Sequence, residues 1–166
     1  MNAVLEEKCL TEKKEQPGKR ILFVCTGNTC RSPMAAALYN DRFSGDGSYA
    51  VSAGLAADGS GISGNAVMAL LGAGIRSTAE NDYLSHVSHT VTEEDLEKAD
   101  LVVGITGRHA TSLLFAAPGY ASRITSLPMD IPDPYRGDLP VYEACLEKIG
   151  EALDAMFTAD KGEDHV

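Results

Sequence analysis

Ile21-Leu22-Phe23-Val24 is an unbroken apolar run that follows the basic pair Lys19-Arg20 and leads into Cys25-Thr26-Gly27. A short continuous run of this kind predicts a strand buried on both faces of a sheet, since a half-exposed strand would alternate. From Pro33 the pattern changes. Met34-Ala35-Ala36-Ala37-Leu38-Tyr39 is rich in good helix formers and predicts a helix from Pro33 to about Phe43. Tyr49 to Ser52 reads as a second short strand, a Gly/Ser-rich loop runs through Gly64, and Asn65 to Leu71 reads as a helix stopped at Gly72. Thr92-Glu93-Glu94-Asp95 opens a short helix with Thr92 as N-cap and three acids in its first turn, where the helix dipole favours them. Leu101 to Ile105 is a further buried strand, Gly107 to Phe115 a helix, Ile124 the start of a last strand, and Pro140 sits near N1 of a terminal helix reaching about Phe157. Strands alternating with helices argue for an α/β domain with a parallel sheet.

Residues 1 to 18 are charged, contain Pro17-Gly18 and show little apolar period, so they read as a flexible N-terminal extension. The domain is expected over residues 19–158, with 159–166 as a flexible C-terminal tail. A chain of 166 residues, 44% apolar, supports one core rather than two. Its net charge of −10 argues against nucleic acid and against an anionic membrane surface as partners. No apolar run approaches the roughly 18 residues of a membrane span, and the first twenty residues lack a signal-peptide core, so a cytoplasmic protein is expected. The four cysteines, Cys9, Cys25, Cys30 and Cys145, show no Cys-x2-Cys spacing and suggest neither a disulfide scaffold nor a metal site.

The candidate chemistry lies between the first strand and the first helix, where the chain reads Cys25-Thr26-Gly27-Asn28-Thr29-Cys30-Arg31-Ser32. A loop entering a helix N-terminus presents successive backbone N–H groups and the positive end of the helix dipole, which suits a phosphate-like dianion. Cys25 at the strand end is the candidate nucleophile, and Arg31 can return to the rim and hold two oxyanion oxygens with its planar fork. Helix N-termini and nearby arginines favour thiolates, so a loop that binds phosphate also suits a sulfur nucleophile. Gly27 and Asn28 suit a tight turn, and Ser32 is expected to cap the helix and to donate from its hydroxyl to the Cys25 sulfur. A Rossmann fingerprint fits poorly, since the loop has one glycine, and a Walker loop fits worse.

Late in the chain, Pro128-Met129-Asp130-Ile131-Pro132-Asp133-Pro134-Tyr135 is a proline-restricted loop rich in acids. A carboxyl at the mouth of a phosphate site can protonate a leaving group and is worth roughly 10² to 10⁴ in rate. Asp130 and Asp138 read as a turn former and a cap for the following helix.

The pairing of Cys25-x5-Arg31-Ser32 with a late Asp133-Pro134 resembles the low-molecular-weight protein tyrosine phosphatase family, including its bacterial arginine phosphatase branch, over residues 19 to 157. The resemblance implies a single three-layer α/β domain with a central, mostly parallel four-stranded sheet flanked by helices. It implies catalysis through a phosphocysteine without cofactor or metal, on phosphorylated protein substrates. It makes Cys25, Arg31 and Asp133 catalytic, and it makes Thr26, Gly27, Asn28, Thr29, Cys30, Arg31 and Ser32 the phosphate loop. Ser52 and His86 fall, by resemblance, where the family supports the loop asparagine, and a reversible Cys25–Cys30 disulfide is a further family property; Cys30 as a small apolar filler is the alternative.

Thr29 and Tyr135 are the expected pocket residues. Tyrosine phosphatases of the family commonly carry a bulkier aliphatic residue at the Thr29 position, and the arginine branch resembles this chain in carrying Thr. The loop after Ser52 lacks an aromatic residue and the chain has no tryptophan, so Tyr135 is the aromatic wall available to stack on a phenol or a guanidinium. Phosphoarginine is therefore favoured over phosphotyrosine. Two other readings remain. An arsenate reductase needs further cysteines to relay a disulfide, and Asp100 to Leu114 contains none. A non-catalytic phosphate- or partner-binding module would keep the fold without the chemistry.

Overall fold

The structure, a computed structural model, describes residues 18–158. The extension expected over 1–18 falls outside it apart from Gly18, as does the tail over 159–166. Strands β1 (Arg20–Cys25), β2 (Tyr49–Gly54), β3 (Leu101–Gly104) and β4 (Ile124–Ser126) form one sheet in the order β2-β1-β3-β4, and every pairing is parallel. Helices α1 (Arg31–Arg42), α2 (Gly64–Gly72), α3 (Glu93–Lys98), α4 (Gly107–Ala116) and α5 (Leu139–Leu153) cover its faces, and α5 runs on into a wider turn over Asp154–Thr158.

Why β1 is apolar from Ile21 to Cys25 follows from the two cores. Ile21, Phe23 and Cys25 pack on one side with Met34, Leu38, Leu70, Ile149 and Leu153, while Leu22 and Val24 pack on the other with Leu96, Val102 and Leu113. Strand side chains alternate, so both faces of a doubly covered strand must be apolar. Each fully buried Leu, Ile or Phe contributes roughly 1.5–3 kcal/mol relative to exposure. The same parity puts Cys25 on the face where α1 begins.

The element ends differ from expectation in instructive ways. Helix α1 starts at Arg31, two residues before Pro33; Cys30 is its N-cap residue and makes no side-chain cap bond. Ser32 is therefore not a cap but lies in the first turn, where its hydroxyl serves another partner. Helix α2 ends at Gly72 as expected, but Gly72 is its last helical residue: Ala73 is the C-cap and Gly74 takes φ +82°. Gly74 N–H bonds Leu71 O at 3.0 Å and Ile75 N–H bonds Leu70 O at 2.9 Å, a Schellman closure with buried Leu70 and Ile75 at its ends. Thr92 caps α3 as expected, in a reciprocal box with Asp95. Asp138 caps α5 through Val141 N–H. Asp130 serves no turn of its own but accepts the Gly107 N–H at 2.9 Å, at the start of α4.

Candidate active site

The Cys25–Ser32 loop is defined first by where its carbonyls go. Cys25 O accepts from Leu55 N–H, Thr26 O from Ala56 N–H, Thr29 O from Ser63 N–H, each at 2.9 Å, and Cys30 O from Met34 N–H at 3.1 Å. Asn28 O accepts from His86 Nε2 at 2.8 Å. Every peptide of the loop is trans, so each N–H points opposite to the carbonyl before it. With five carbonyls held by the segments around the loop, the N–H groups of Thr26, Gly27, Thr29, Cys30 and Arg31 turn into its concavity. That is an anion cradle at the N-terminus of a twelve-residue helix.

Asn28 is the post around which the loop turns. It has φ +60°, a left-handed conformation that asparagine tolerates better than most residues, and its side chain is fully buried. Its Nδ2 donates to Ser32 Oγ at 2.8 Å and to Ser52 Oγ at 3.0 Å, and its Oδ1 accepts the backbone N–H of His89 at 3.1 Å. Every hydrogen-bonding position the amide requires is thus met, which offsets its burial. Because Asn28 O can only accept, His86 carries its proton on Nε2, and burial pulls its pKa below the ordinary value. The family resemblance implies Ser52 and His86 beside Asn28; His89, given no role, contributes through its backbone while its ring meets Asp95 at 2.9 Å.

Glycine is required where β2 leaves the sheet. A Cβ on Gly54 would lie 2.6 Å from Thr26 O and 3.0 Å from Asn28 Cβ, inside the loop's backbone. Gly54→Ala is expected to cost about 1–3 kcal/mol of stability and to lower kcat/KM, because the loop must shift to admit the methyl group. Gly72→Ala, at a helical position where nothing lies within 4 Å, is the control and should leave kcat/KM unchanged and raise stability by about 0.4–1 kcal/mol. Thermal unfolding and steady-state kinetics of the two variants check this; equal behaviour would mean that the loop yields freely.

At the base of the cradle, Cys25 Sγ is 2.9 Å from Ser32 Oγ. Arg31 Nη1 donates to Ile131 O at 3.0 Å, and Arg31 Nη2 lies 3.7 Å from Asp133 Oδ2. The arginine side chain is 8% exposed and the aspartate 54%, so the pair joins the buried loop to the solvent-facing mouth. Asp133 Oδ1 also accepts the Tyr135 N–H at 3.1 Å, which fixes the carboxyl's direction. Thr29 and Tyr135 line the same cavity of about 470 Å³, together with Asp58 and Ser60 from the loop after β2. Asp58 accepts from Ser60 N–H and Oγ, which hold its carboxyl below the usual range. The sequence offered no signal for Asp58, because only the fold brings that loop to the mouth.

Cys25, Cys30 and Cys145 are free thiols. Cys30 Sγ contacts Tyr142 OH at 3.3 Å and Thr29 Oγ1 at 3.6 Å. Cys145, to which no role is assigned from sequence, lies beneath the site against Pro132 O, and burial pushes its thiol up to about 12. Among the described residues no cluster of His, Cys, Asp or Glu is arranged to hold a metal, and no helix is long and apolar enough to cross a membrane.

Residues 20–164 match the family model described as low molecular weight phosphotyrosine protein phosphatase. A protein-arginine-phosphatase of Bacillus subtilis is 35% identical over 143 residues, covering 80% of this chain and 91% of its own. An arsenate reductase of Halalkalibacterium halodurans is 40% identical over 106 residues, covering 64% of this chain and 69% of its own. The structure of an arginine phosphatase from Geobacillus stearothermophilus superposes with a TM-score of 0.76 at 33% identity, over 87% of this chain and 94% of that one. On the family match, which spans the sheet, the loop and the late Asp-Pro, the chain belongs to the low molecular weight phosphotyrosine protein phosphatase family of hydrolases.

Proposed function

We propose that the protein dephosphorylates proteins through a phosphocysteine on Cys25, with phosphoarginine as the preferred substrate. The observation that carries the mechanism is Cys25 Sγ seated 2.9 Å from Ser32 Oγ inside a ring of inward N–H groups. The Cys25 sulfur attacks phosphorus while the bond to the leaving nitrogen or oxygen breaks, and the Asp133 carboxyl supplies the proton that atom needs. Water then attacks the phosphocysteine and gives its proton to the Asp133 carboxylate as the S–P bond breaks. Ser32 Oγ accepts from Asn28 Nδ2, so its one hydrogen is left for the Cys25 sulfur at 2.9 Å, which is nearer than the competing Ala53 O at 3.4 Å, and it donates to the sulfur as that departs. Arg31 exchanges its contact with Asp133 for the phosphoryl oxygens, which releases the carboxyl toward the leaving group.

The preference for phosphoarginine is supported by the pocket wall. Thr29 is short and polar where an aliphatic residue would press on a phenyl ring, and Asp58 and Asp133 share the mouth with it. Two carboxylates there suit a guanidinium leaving group better than a neutral phenol. The expected result is a higher kcat/KM on a phosphoarginine peptide than on a phosphotyrosine peptide, falling or reversing by at least about ten-fold in Thr29→Ile, the scale of one pocket methylene or more. A wild-type preference for phosphotyrosine would instead assign a tyrosine phosphatase.

Likeness to an arsenate reductase favours testing arsenate reduction as a second reading. Its chemistry requires thiols that hand on a disulfide from the nucleophile, whereas Cys30 is bonded to Tyr142 and Cys145 is buried with a strongly raised pKa. No arsenate-dependent thiol consumption is expected.

A further inference from the structure

All the carbonyl anchors of the phosphate loop come from the β2 side or from α1 itself: Leu55, Ala56, Ser63, His86 and Met34. β1 is a central strand, with β3 on its other flank. From that flank Asp133 meets Arg31, and one further side chain among the described residues, which the catalytic reading leaves unused, reaches the loop. His109, in the first turn of α4, is 5% exposed and stands with Nε2 3.0 Å from Thr26 Oγ1.

The neighbouring bonds settle which way the proton points. Thr106 N–H donates to His109 Nδ1 at 3.1 Å, and a backbone N–H can only donate, so Nδ1 is the bare nitrogen. The neutral ring therefore carries its proton on Nε2, and Nε2–H donates to the Thr26 hydroxyl. Burial, and then the Arg31 guanidinium, pull the ring's pKa down to about 4, against smaller opposing effects of Asp133 and Asp130. The bond keeps this polarity throughout the neutral range.

We propose that His109 is a positioning residue for the phosphate loop, which through Thr26 holds the first inward N–H after the nucleophile in place for phosphoryl oxygens. Thr26 needs such a hold. It is itself exposed, and it is followed by Gly27, around which an added Cβ would meet only Thr29 Oγ1 at 3.9 Å, so local packing does little to restrain this corner. The tether from α4 and the carbonyl bond from Ala56 grip residue 26 from the two flanks of β1. The proposal rests on the phosphatase reading, and its test separates the two.

His109 has a second role that the test must set aside. It is the third helical residue of α4, and its Nδ1 completes a reciprocal capping box with Thr106. His109→Asn keeps an acceptor where Nδ1 stands, as Asp95 provides in the box of α3, but has nothing in place of Nε2. Thr26→Val breaks the same contact from the other end without touching α4. Inorganic phosphate is titrated into wild type, His109→Asn, Thr26→Val and the double variant by calorimetry, with kcat, KM and thermal unfolding measured alongside.

Each single variant is expected to bind phosphate about five-fold more weakly, the ratio that one ordinary hydrogen bond of about 1 kcal/mol corresponds to, with the double variant no weaker than either. His109→Asn should unfold at the wild-type temperature, while His109→Ala, which loses the cap as well, should unfold lower. Wild-type phosphate affinity in His109→Asn, or independent losses that add in the double variant, would overturn the proposal and leave the phosphatase reading standing. A wild-type protein that bound no phosphate would overturn that reading and this proposal with it.

Discussion

Cys25→Ser is expected to abolish turnover of phosphoarginine and phosphotyrosine substrates alike, by more than about 10⁴-fold in kcat, while inorganic phosphate still binds. The two properties separate because different atoms supply them. Binding comes from the backbone N–H groups turned inward by the carbonyl bonds to Leu55, Ala56, His86, Ser63 and Met34, and from Arg31, none of which the substitution removes. Attack comes from sulfur. A serine hydroxyl in its place is a weak nucleophile unless a base takes its proton, and its near neighbour Ser32 Oγ, 2.9 Å from the sulfur, is no base. Single-turnover kinetics and phosphate titration on the variant check this. Residual activity above a percent of wild type would remove Cys25 from the role of nucleophile, and loss of phosphate binding would mean that the thiol itself shapes the cradle.

The sequence carried the fold and the loop for one physical reason: both are local. Four apolar residues before Cys25 and an Ala-rich segment after Pro33 specify strand and helix within twenty positions, and the left-handed corner at Asn28 sits where Gly27-Asn28 announces a turn. What local pattern could not show is which groups the fold brings to that loop from far away. His109 is separated from Thr26 by 83 positions, and as a residue it reads like any histidine in a helix. The signal present, Thr106 followed three residues later by a polar side chain, marks a capping box and nothing about the loop. Asp58 lies in a Gly/Ser-rich stretch held by the Ala57 N–H bond to Thr90 Oγ1 and the Ser88 N–H bond to Ser60 O, so its place at the mouth is a tertiary fact.

The error over Ser32 is informative in the same way. A Ser-Pro pair before a helix is a good capping signal. An N-cap side chain satisfies the very N–H groups that an anion-binding helix must leave open, and here the helix starts two residues earlier with no such bond. Ser32 instead meets Cys25, Asn28 and, at 3.4 Å, Ala53 O. A capping rule fails at this position because Ser32 lies inside the first turn, where its hydroxyl is engaged by Cys25 and Asn28.

Asp133→Ala should then separate substrates by how much help their leaving groups need. A peptidyl guanidine nitrogen or tyrosine oxygen cannot leave well without a proton, so kcat on either should fall by roughly 10² to 10⁴. An activated nitrophenyl ester departs unaided, and its rate should fall far less. Asp133→Asn sharpens the comparison, since the amide oxygen can still accept the Tyr135 N–H that orients residue 133, at 3.1 Å in the wild type, and only the acid is lost. The 3.7 Å contact with Arg31 gives a rival account in which Asp133 merely tunes the guanidinium. On that account the variants would change phosphate affinity and slow all leaving groups equally, because Arg31 touches the phosphoryl oxygens and not the departing atom. Measuring kcat for the peptides and the activated ester, with phosphate affinity beside them, therefore distinguishes an acid from a neighbour of Arg31: a loss graded by leaving group assigns the proton to Asp133, and a uniform loss assigns it elsewhere.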